Sequence, residues 1–295
     1  MSAGPDADIR GVGVVGCGLM GAGIAEVCAR AGLDVVVHEP NPGAADAGRA
    51  RITASLDRGV RRGKLSGADR DAALARVRVS TDLADLADRD LVVEAATEDE
   101  KVKTELFAEL DRIVVREDAL LATNTSSLPI MRLGMATARP HQVIGVHFFN
   151  PVPVLELVEI VPSLLTAPQT QSRAEEFVTR VLGKKTIRAQ DRAGFVVNAL
   201  LVPYLLSAIR MLESGHARAE DIDTGMVLGC VHPMGPLSLA DLIGLDTLAA
   251  IAEAMYADFK DPLHAPPPLL LRMVEAGLLG RKSGRGFHEY ARDSP

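Results

Sequence analysis

The stretch from Gly11 to Glu39 reads GVGVVGCGLMGAGIAEVCARAGLDVVVHE. Its first five residues are apolar and predict a short strand, and the apolar periodicity from about Met20 to Ala31 predicts a helix. Gly32 is placed to end that helix in a left-handed conformation, and Leu33 to Val37 predict a second strand. A strand, a tight turn, a helix and a strand in this order predict a parallel sheet covered by helices.

The turn within this unit has the spacing of a phosphate-binding loop. Gly16 permits the tight turn, Gly18 lets the backbone approach a pyrophosphate, and Gly21 allows the helix to pack closely on the strand. The helix N-terminus would then face the phosphate charge. A chance glycine-rich turn is the alternative, but the strand before the loop and the helix after it favour dinucleotide binding. The candidate loop residues for the cofactor are Gly16, Gly18, Leu19, Met20 and Gly21.

Glu39, at the end of the second predicted strand, indicates which dinucleotide is bound. A carboxylate at this position accepts hydrogen bonds from the ribose hydroxyls and repels a 2′-phosphate. Residues 40–43, Pro-Asn-Pro-Gly, contain no arginine that could hold such a phosphate. The sequence therefore favours NAD over NADP.

Composition excludes several other classes of protein. The chain has 295 residues, a net charge of -7, three Tyr and no Trp, which argues against a nucleic-acid or anionic-membrane binder. No apolar run is long enough to span a membrane. Three scattered cysteines without metal-ligand spacing indicate a reducing cytoplasm and no metal site. Residues 1–8 are expected to be a disordered leader.

Further short strands alternate with helices after Glu39, which predicts a doubly wound sheet. The strands are expected at Val77–Ser80, Leu91–Ala95, Leu120–Thr123 and Lys184–Ala189. Ligands bind such sheets at the carboxyl ends of the strands, where Ala95, Glu98 and the segment from Asn124 to Ser127 fall. Helix capping by Ser127 is the structural alternative there, and it is compatible with a substrate contact by Ser126.

Residues 145–161, GVHFFNPVPVLELVEIV, predict a pair of antiparallel strands. The first run covers Val143 to Phe149, a Pro-rich turn follows, and the second run covers Val154 to Val161. With the bend near Pro153, His147 and Glu159 would face each other across the pair. A carboxylate beside an imidazole fixes its tautomer, as in a general base with its orienting group. A buried structural histidine beside a solvated edge glutamate is the alternative.

Two other features bear on ligands. A helix predicted from Ala44 to Lys64 ends in four cations, Arg58, Arg61, Arg62 and Lys64. They form either a solvated face or a site for a phosphate-bearing substrate tail. Asn198 interrupts an apolar run at the start of a later helix, and such a residue is either hydrogen-bonded internally or faces a ligand.

The predicted secondary structure changes near Ala193, after which only helices are expected. We therefore expect a dinucleotide-binding domain at residues 9–192 and an all-helical domain at residues 193–295. The segment at 281–287, RKSGRGF, is predicted to turn back onto the fold. The helical domain is apolar beyond the needs of a monomer, so an oligomer interface is expected on it.

Six motifs in this order resemble the 3-hydroxyacyl-CoA dehydrogenase family over Ile9 to Tyr290. They are VVGCGLMGAGIA (14–25), NTSSL (124–128), HFFNPVPVLELVE (147–159), GFVVNALLVPY (194–204), HPMGPLSLADLIGLD (232–246) and GRKSGRGFHEY (280–290). The resemblance implies NAD-dependent interconversion of (S)-3-hydroxyacyl-CoA, such as 3-hydroxybutyryl-CoA, and 3-ketoacyl-CoA. It also implies a homodimer formed through the helical domain.

The resemblance implies roles for individual residues. His147 would be the general base, Glu159 would orient it, and Ser126 and Asn198 would bind the substrate oxygens. Near the cofactor it implies Ala95, Glu98, Lys103, Asn124, Ser126 and Asn150. Arg58 and Arg62 match lysines that meet the CoA phosphates in relatives, and the Arg-for-Lys exchange changes the geometry of those contacts.

Two alternatives belong to other functional classes. One is a hydroxyacid or sugar-acid dehydrogenase that does not use CoA, but the HFFNPVPV motif at 147–154 disfavours it. The other is a non-catalytic nucleotide-binding protein of the same fold, which loss of a candidate catalytic residue would have favoured. The four residues in question are all present: His147, Glu159, Ser126 and Asn198.

Overall fold

The computed structural model describes residues 9–290, so the predicted leader at residues 1–8 lies outside the described part. The chain divides into a first unit that ends at Asp191 and a second that begins at Arg192. Within residues 9–290 we find no helix of the length and apolarity needed to cross a lipid bilayer.

The first unit contains one eight-stranded sheet. Its strands are β1 (Gly11–Val15), β2 (Asp34–His38), β3 (Val77–Ser80), β4 (Leu91–Glu94), β5 (Leu120–Thr123), β6 (Val143–Phe148), β7 (Leu157–Pro162) and β8 (Lys185–Arg188). They are arranged in the order β3-β2-β1-β4-β5-β6-β7-β8. All neighbouring strands are parallel except β6 and β7, which are antiparallel. The predicted doubly wound fold with added antiparallel strands is confirmed.

Six helices accompany this sheet. They are α1 (Leu19–Arg30), α2 (Pro42–Arg61), α3 (Gly67–Ala75), α4 (Glu100–Ile113), α5 (Ile130–Gly134) and α6 (Pro168–Glu176), with a π-helical turn at Phe177–Val181. Helices α3, α5 and α6 were not predicted because each is short and only weakly periodic. In α3 the Ser66 side chain accepts a hydrogen bond from Asp69 N at 3.0 Å and starts the helix locally.

The central strands are buried on both faces, which explains their continuous apolar sequences. Every residue of β4 and β5 is buried, including the polar residues Glu94 and Thr123 at their carboxyl ends. Glu94 and Thr123 thus bring polar groups into the core at the edge of the sheet where these parallel strands end.

The β6–β7 hairpin has the predicted register, with Gly145 opposite Val161 and His147 opposite Glu159. The second strand starts later than predicted, at Leu157 rather than Val154, because the preceding residues form a turn. The N–H groups of Val154 and Leu155 both donate to the carbonyl oxygen of Pro151.

The second unit is helical. Its helices are α7 (Val197–Glu213), α8 (Ala219–Thr224), α9 (Pro236–Ile243), α10 (Leu245–Phe259) and α11 (Pro268–Glu275). Helix α8 is followed directly by a π-helical turn, Gly225–Gly229. The segment after α11 folds back as predicted, since the Asp241 carboxylate accepts hydrogen bonds from Phe287 N and His288 N, both at 2.9 Å.

Candidate active site

The glycine-rich loop joins β1 to α1 in a conformation that only glycine adopts without strain. Gly16 has a φ of 94°, and a Cβ atom on Gly21 would lie 1.9 Å from the Gly16 carbonyl oxygen. A Cβ atom on Gly18 would meet no other atom within 4 Å, so the loop is open on that side. No side chain caps the N-terminus of α1. The backbone N–H groups there and the open space beside Gly18 fit a pyrophosphate.

A cleft of about 680 Å³ opens beside this loop. Loop residues line one side of it, and the end of β4 and the start of α4 line the other. Six of the predicted cofactor residues are among those lining it: Gly16, Gly18, Leu19, Met20, Glu39 and Ala95. Val102 and Leu106 add apolar surface from α4, which suits a flat aromatic base.

Glu39 lies at the mouth of this cleft and contacts the loop backbone. Its Oε2 atom accepts a hydrogen bond from Cys17 N at 3.2 Å, and its Oε1 atom accepts one from Asn41 N at 3.4 Å. Burial, with the nearby Glu39 carboxylate, raises the pKa of the Cys17 thiol to about 11. Cys17 therefore remains a neutral thiol at physiological pH.

Arg51 contacts the same loop from α2. Its Nη1 atom donates to the carbonyl oxygen of Cys17 at 2.8 Å. The helix approaches the loop closely because Gly48 has no side chain: a Cβ atom there would lie 2.0 Å from the Cys17 sulfur. Sequence reasoning missed Arg51, since this contact depends on how α2 packs and no local pattern marks it.

His147 and Glu159 meet across the β6–β7 hairpin. The Nδ1 atom of His147 lies 2.7 Å from Oε2 of Glu159, and both side chains are buried. The ring of Phe149 packs edge-on against the imidazole, with 4.6 Å between ring centroids. When Nδ1 donates to the carboxylate, Nε2 carries the lone pair of the neutral ring. The pair therefore has the geometry of a general base held by a carboxylate.

A buried ion pair lies at the carboxyl end of β4. The Lys103 Nζ atom is 2.8 Å from each carboxylate oxygen of Glu94, and both side chains are at most 1% exposed. Glu94 also accepts hydrogen bonds from Thr123 Oγ1 and Ala96 N, both at 2.7 Å. Lys103 extends the network to Glu98 Oε2 at 3.1 Å. Sequence reasoning missed Glu94, although a charged residue that ends an apolar strand was a visible signal.

Glu98 connects this network to the segment after β5. Its Oε1 atom accepts hydrogen bonds from the Thr125 hydroxyl and from Ser126 N, the latter at 3.0 Å. Burial raises the pKa of Glu98, but the Lys103 ammonium and these hydrogen bonds outweigh it and hold the pKa below its usual value. The carboxylate therefore stays ionised and fixes the backbone at Ser126.

The structural alternative, in which Ser127 caps a helix, is wrong. Helix α5 begins at Ile130, and its first N–H groups donate to the carboxylate of Asp191, at 2.7 Å from Ile130 and 2.8 Å from Met131. The Ser127 hydroxyl instead donates to Glu98 Oε1 at 3.3 Å.

Asn124, Ser126 and Asn150 lie on loops that follow neighbouring strands. The Asn124 side-chain oxygen accepts a hydrogen bond from Phe148 N at 2.8 Å, which ties the end of β5 to the residue after His147. Ser126 is half-buried and Asn150 is exposed. The loops after β5 and β6 thus place Ser126 and Asn150 at the edge of the sheet where His147 lies.

The remaining predicted residues lie elsewhere. Arg58 and Arg62 are exposed at the C-terminal end of α2, and neither has a carboxylate within 4 Å among residues 9–290. Asn198 belongs to the second unit, where it is half-buried in the first turn of α7. In the described part of the chain no group of three or more His, Cys, Asp or Glu side chains is arranged to hold a metal ion.

Comparisons with known proteins cover nearly the whole chain. Residues 11–192 match the family model of the 3-hydroxyacyl-CoA dehydrogenase NAD binding domain, and residues 194–290 match that of the C-terminal domain. A 3-hydroxybutyryl-CoA dehydrogenase of Mycobacterium tuberculosis is 60% identical over 282 residues, covering 96% of this chain and 99% of the relative.

Solved structures agree with these matches. The crystal structure of M. tuberculosis FadB2 superimposes with a TM-score of 0.95 at 60% identity, over 96% of this chain and 99% of that one. The (S)-3-hydroxybutyryl-CoA dehydrogenase PaaH1 from Ralstonia eutropha superimposes with a TM-score of 0.90 at 46% identity, over 97% of this chain and 100% of that one.

Proposed function

Because the chain belongs to the 3-hydroxyacyl-CoA dehydrogenase family, we propose that it interconverts (S)-3-hydroxybutyryl-CoA and acetoacetyl-CoA with NAD as cofactor. The observation that carries this proposal is the buried His147–Glu159 pair, with 2.7 Å between Nδ1 and Oε2. A dehydrogenase needs a base for the hydroxyl proton beside a dinucleotide site, and the glycine-rich loop lies in the same unit as this pair.

In the oxidation direction, His147 takes the proton from the 3-hydroxyl group through Nε2. Bound NAD supplies the hydride acceptor. Glu159 accepts the Nδ1 hydrogen bond throughout and stabilises the positive charge that develops on the imidazole. In the reverse direction, the protonated His147 returns the proton to the substrate oxygen as the ketone is reduced.

Ser126 and Asn198 are proposed to hydrogen-bond the substrate oxygens. Support for Ser126 comes from its backbone, which Glu98 holds through a 3.0 Å hydrogen bond. A donor held in this way needs little reorganisation when charge develops on the substrate. The proposed role of Asn198 is supported by the family motif around it, in which a polar residue interrupts an apolar helix.

The cofactor contacts divide into two groups. The glycine-rich loop with Leu19 and Met20 receives the pyrophosphate, and Glu39 receives the adenosine ribose. On the nicotinamide side we assign Ala95, Glu98, Lys103, Asn124, Ser126 and Asn150. Of these, Lys103 is buried against Glu94, so it acts on the cofactor by holding Glu98 in place.

Arg58 and Arg62 are proposed to bind the phosphates of CoA, since both are exposed cations at the C-terminal end of α2. Changing both to Gln should raise the KM for acetoacetyl-CoA roughly tenfold, as expected for lost charge-assisted hydrogen bonds. The KM for the N-acetylcysteamine thioester, which lacks the phosphates, should not change. Equal effects on both thioesters would remove the two arginines from the CoA site.

We further propose a homodimer formed through the helical unit. Leu200, Leu228 and Val231 are at least 75% exposed there, which is costly for large apolar side chains in a monomer. Size-exclusion chromatography with light scattering should give twice the chain mass. A monomer would contradict this assembly.

A cytoplasmic location is also proposed, since the three cysteines Cys17, Cys28 and Cys230 are free thiols.

The decisive experiment follows NADH consumption after addition of acetoacetyl-CoA, with NADPH and free acetoacetate in parallel reactions. Activity with NADH and the thioester alone is expected. Activity on the free keto acid would instead indicate a CoA-independent dehydrogenase. Binding of NADH without turnover of any substrate would indicate a non-catalytic nucleotide-binding protein.

A further inference from the structure

The Glu39 carboxylate occupies a site that is built for an anion. Two backbone N–H groups, those of Cys17 and Asn41, donate to its two oxygens at 3.2 and 3.4 Å. Backbone N–H groups that converge in this way bind phosphate oxygens as readily as carboxylate oxygens. The protein therefore places its own anion where the ribose 2′-substituent of a dinucleotide is expected.

A cation contacts the same loop residue, Cys17, through the next peptide unit. Arg51 donates to the Cys17 carbonyl oxygen at 2.8 Å, while Glu39 accepts from the Cys17 N–H. Within residues 9–290, Arg51 has no carboxylate within 4 Å, so its charge is not neutralised by an ion pair. The close packing of Gly48 on Cys17 holds α2 against the loop and keeps this guanidinium near it.

We propose that Cys17 N, Asn41 N and Arg51 form a latent site for the 2′-phosphate of NADP(H), which the Glu39 side chain fills. Selectivity for NAD then has two parts. Glu39 repels the phosphate, and it also occupies the N–H groups that would bind it. This inference rests on the proposed contact between Glu39 and the ribose.

Removing the Glu39 side chain should expose the latent site. In Glu39→Ala both N–H groups become available, and the Arg51 guanidinium can approach a phosphate without a competing carboxylate. In Glu39→Gln the charge is lost but the side chain still fills the space. NADPH should therefore bind Glu39→Ala more tightly than it binds Glu39→Gln.

The test measures dissociation constants of NADH and NADPH by the fluorescence of the bound nucleotide. Glu39→Ala should bind NADPH at least about tenfold more tightly than the unmodified protein does, the effect of one hydrogen bond between charged groups. Adding Arg51→Ala to Glu39→Ala should reverse that gain. Adding Arg49→Ala should not, although Arg49 is an exposed arginine on the same helix.

Three outcomes would overturn the proposal. Glu39→Ala could fail to gain NADPH affinity, the Arg51→Ala double variant could keep the gain, or the Arg49 and Arg51 double variants could lose it equally. Equal losses would mean that only the overall charge of α2 acts. Unchanged NADH affinity in Glu39→Ala would instead count against the ribose contact, so that failure is distinguishable from failure of the latent site.

Discussion

The Nδ1 atom of His147 lies 2.7 Å from Oε2 of Glu159 because the two residues are directly opposite each other across β6 and β7. Side chains alternate between the two faces of a strand, so a shift of one residue in this pairing would turn Glu159 to the opposite face. The register of the hairpin thus determines whether the imidazole has its carboxylate. Gly145, two residues before His147, lets the strands approach, since a Cβ atom there would lie 2.8 Å from Val161 Cβ.

Replacing His147 with Ala should lower kcat by at least about a hundredfold, because the proposed general base is removed. The dissociation constant for NADH should be unchanged, since His147 is not among the proposed cofactor contacts. Steady-state kinetics and NADH titration measure the two effects separately. His216→Ala is the matched control, as His216 is an exposed histidine in the second unit. Normal turnover of His147→Ala would remove this residue from the mechanism.

Replacing Glu159 with Gln keeps the side-chain size but removes the charge. An amide can donate to Nδ1 and favour the opposite tautomer, so kcat should fall roughly tenfold to a hundredfold, the effect of one hydrogen bond to a charged group. Glu156→Gln, at an exposed carboxylate three residues earlier, should have normal kcat. If both variants kept normal kcat, Glu159 would have only a structural role.

The sequence predicted those parts of the fold that local patterns encode. The strands Val77–Ser80 and Leu120–Thr123 were located to the residue. The first alternates apolar and polar residues at the edge of the sheet, and the second is a short, fully buried strand. The start of β7 was misplaced because Val154 and Leu155 are apolar yet belong to a turn, where their N–H groups meet the Pro151 carbonyl.

The site was predictable to a similar extent. The facing positions of His147 and Glu159 followed from counting residues on either side of Pro153. Contacts between elements distant in sequence did not follow, because they depend on helix packing. The Arg51 contact to Cys17 spans 34 residues, and the Glu94 hydrogen bond to Thr123 spans 29.

Replacing Gly48 with Ala should weaken NADH binding and destabilise the protein. The added Cβ atom would lie 2.0 Å from Cys17 Sγ and 2.7 Å from the Cys17 carbonyl oxygen, so α2 or the loop must move. We expect a loss of about 1 to 3 kcal/mol in the free energy of unfolding, as in other overpacked sites. Urea denaturation and NADH titration measure the two effects.

Gly59→Ala is the control on the same helix. Its Cβ atom would lie 3.5 Å from the Leu65 side chain, an ordinary contact, so the better helix propensity of Ala should stabilise by up to about 1 kcal/mol. Similar losses of stability and of NADH affinity in both variants would mean that α2 does not position the loop.

Replacing Lys103 with Met should strongly destabilise the first unit, because the buried Glu94 carboxylate loses its counter-ion. Removing one partner of a buried ion pair costs about 3 to 5 kcal/mol. Lys101→Met should cost less than about 1 kcal/mol. Lys101 is 85% exposed, and its ion pair with Glu105 is long, at 4.0 Å. Adding Glu94→Gln to Lys103→Met should restore part of the loss measured by urea denaturation. Equal stability of the two single variants would contradict a buried ion pair.

As the pH falls, the contributions of Glu98 and Glu26 to folding stability should change in opposite directions. Despite burial, Lys103 and the Thr125 and Ser126 hydrogen bonds hold the pKa of Glu98 below its ordinary value of 4.5, whereas burial raises the pKa of Glu26 above 4.5. A lowered pKa in the folded state stabilises at pH values above 4.5, and this contribution is lost as the pH falls through the folded value.

Glu98→Gln should therefore destabilise the cofactor-free protein at neutral pH, and its difference from the unmodified protein should shrink below about pH 4. For Glu26 the sign is reversed, since the folded state holds its proton more tightly than the unfolded state does. Glu26→Gln should gain relative stability at neutral pH and lose that advantage on acidification. Urea midpoints at a series of pH values measure both differences, and parallel curves for the two variants would contradict the opposite pKa shifts.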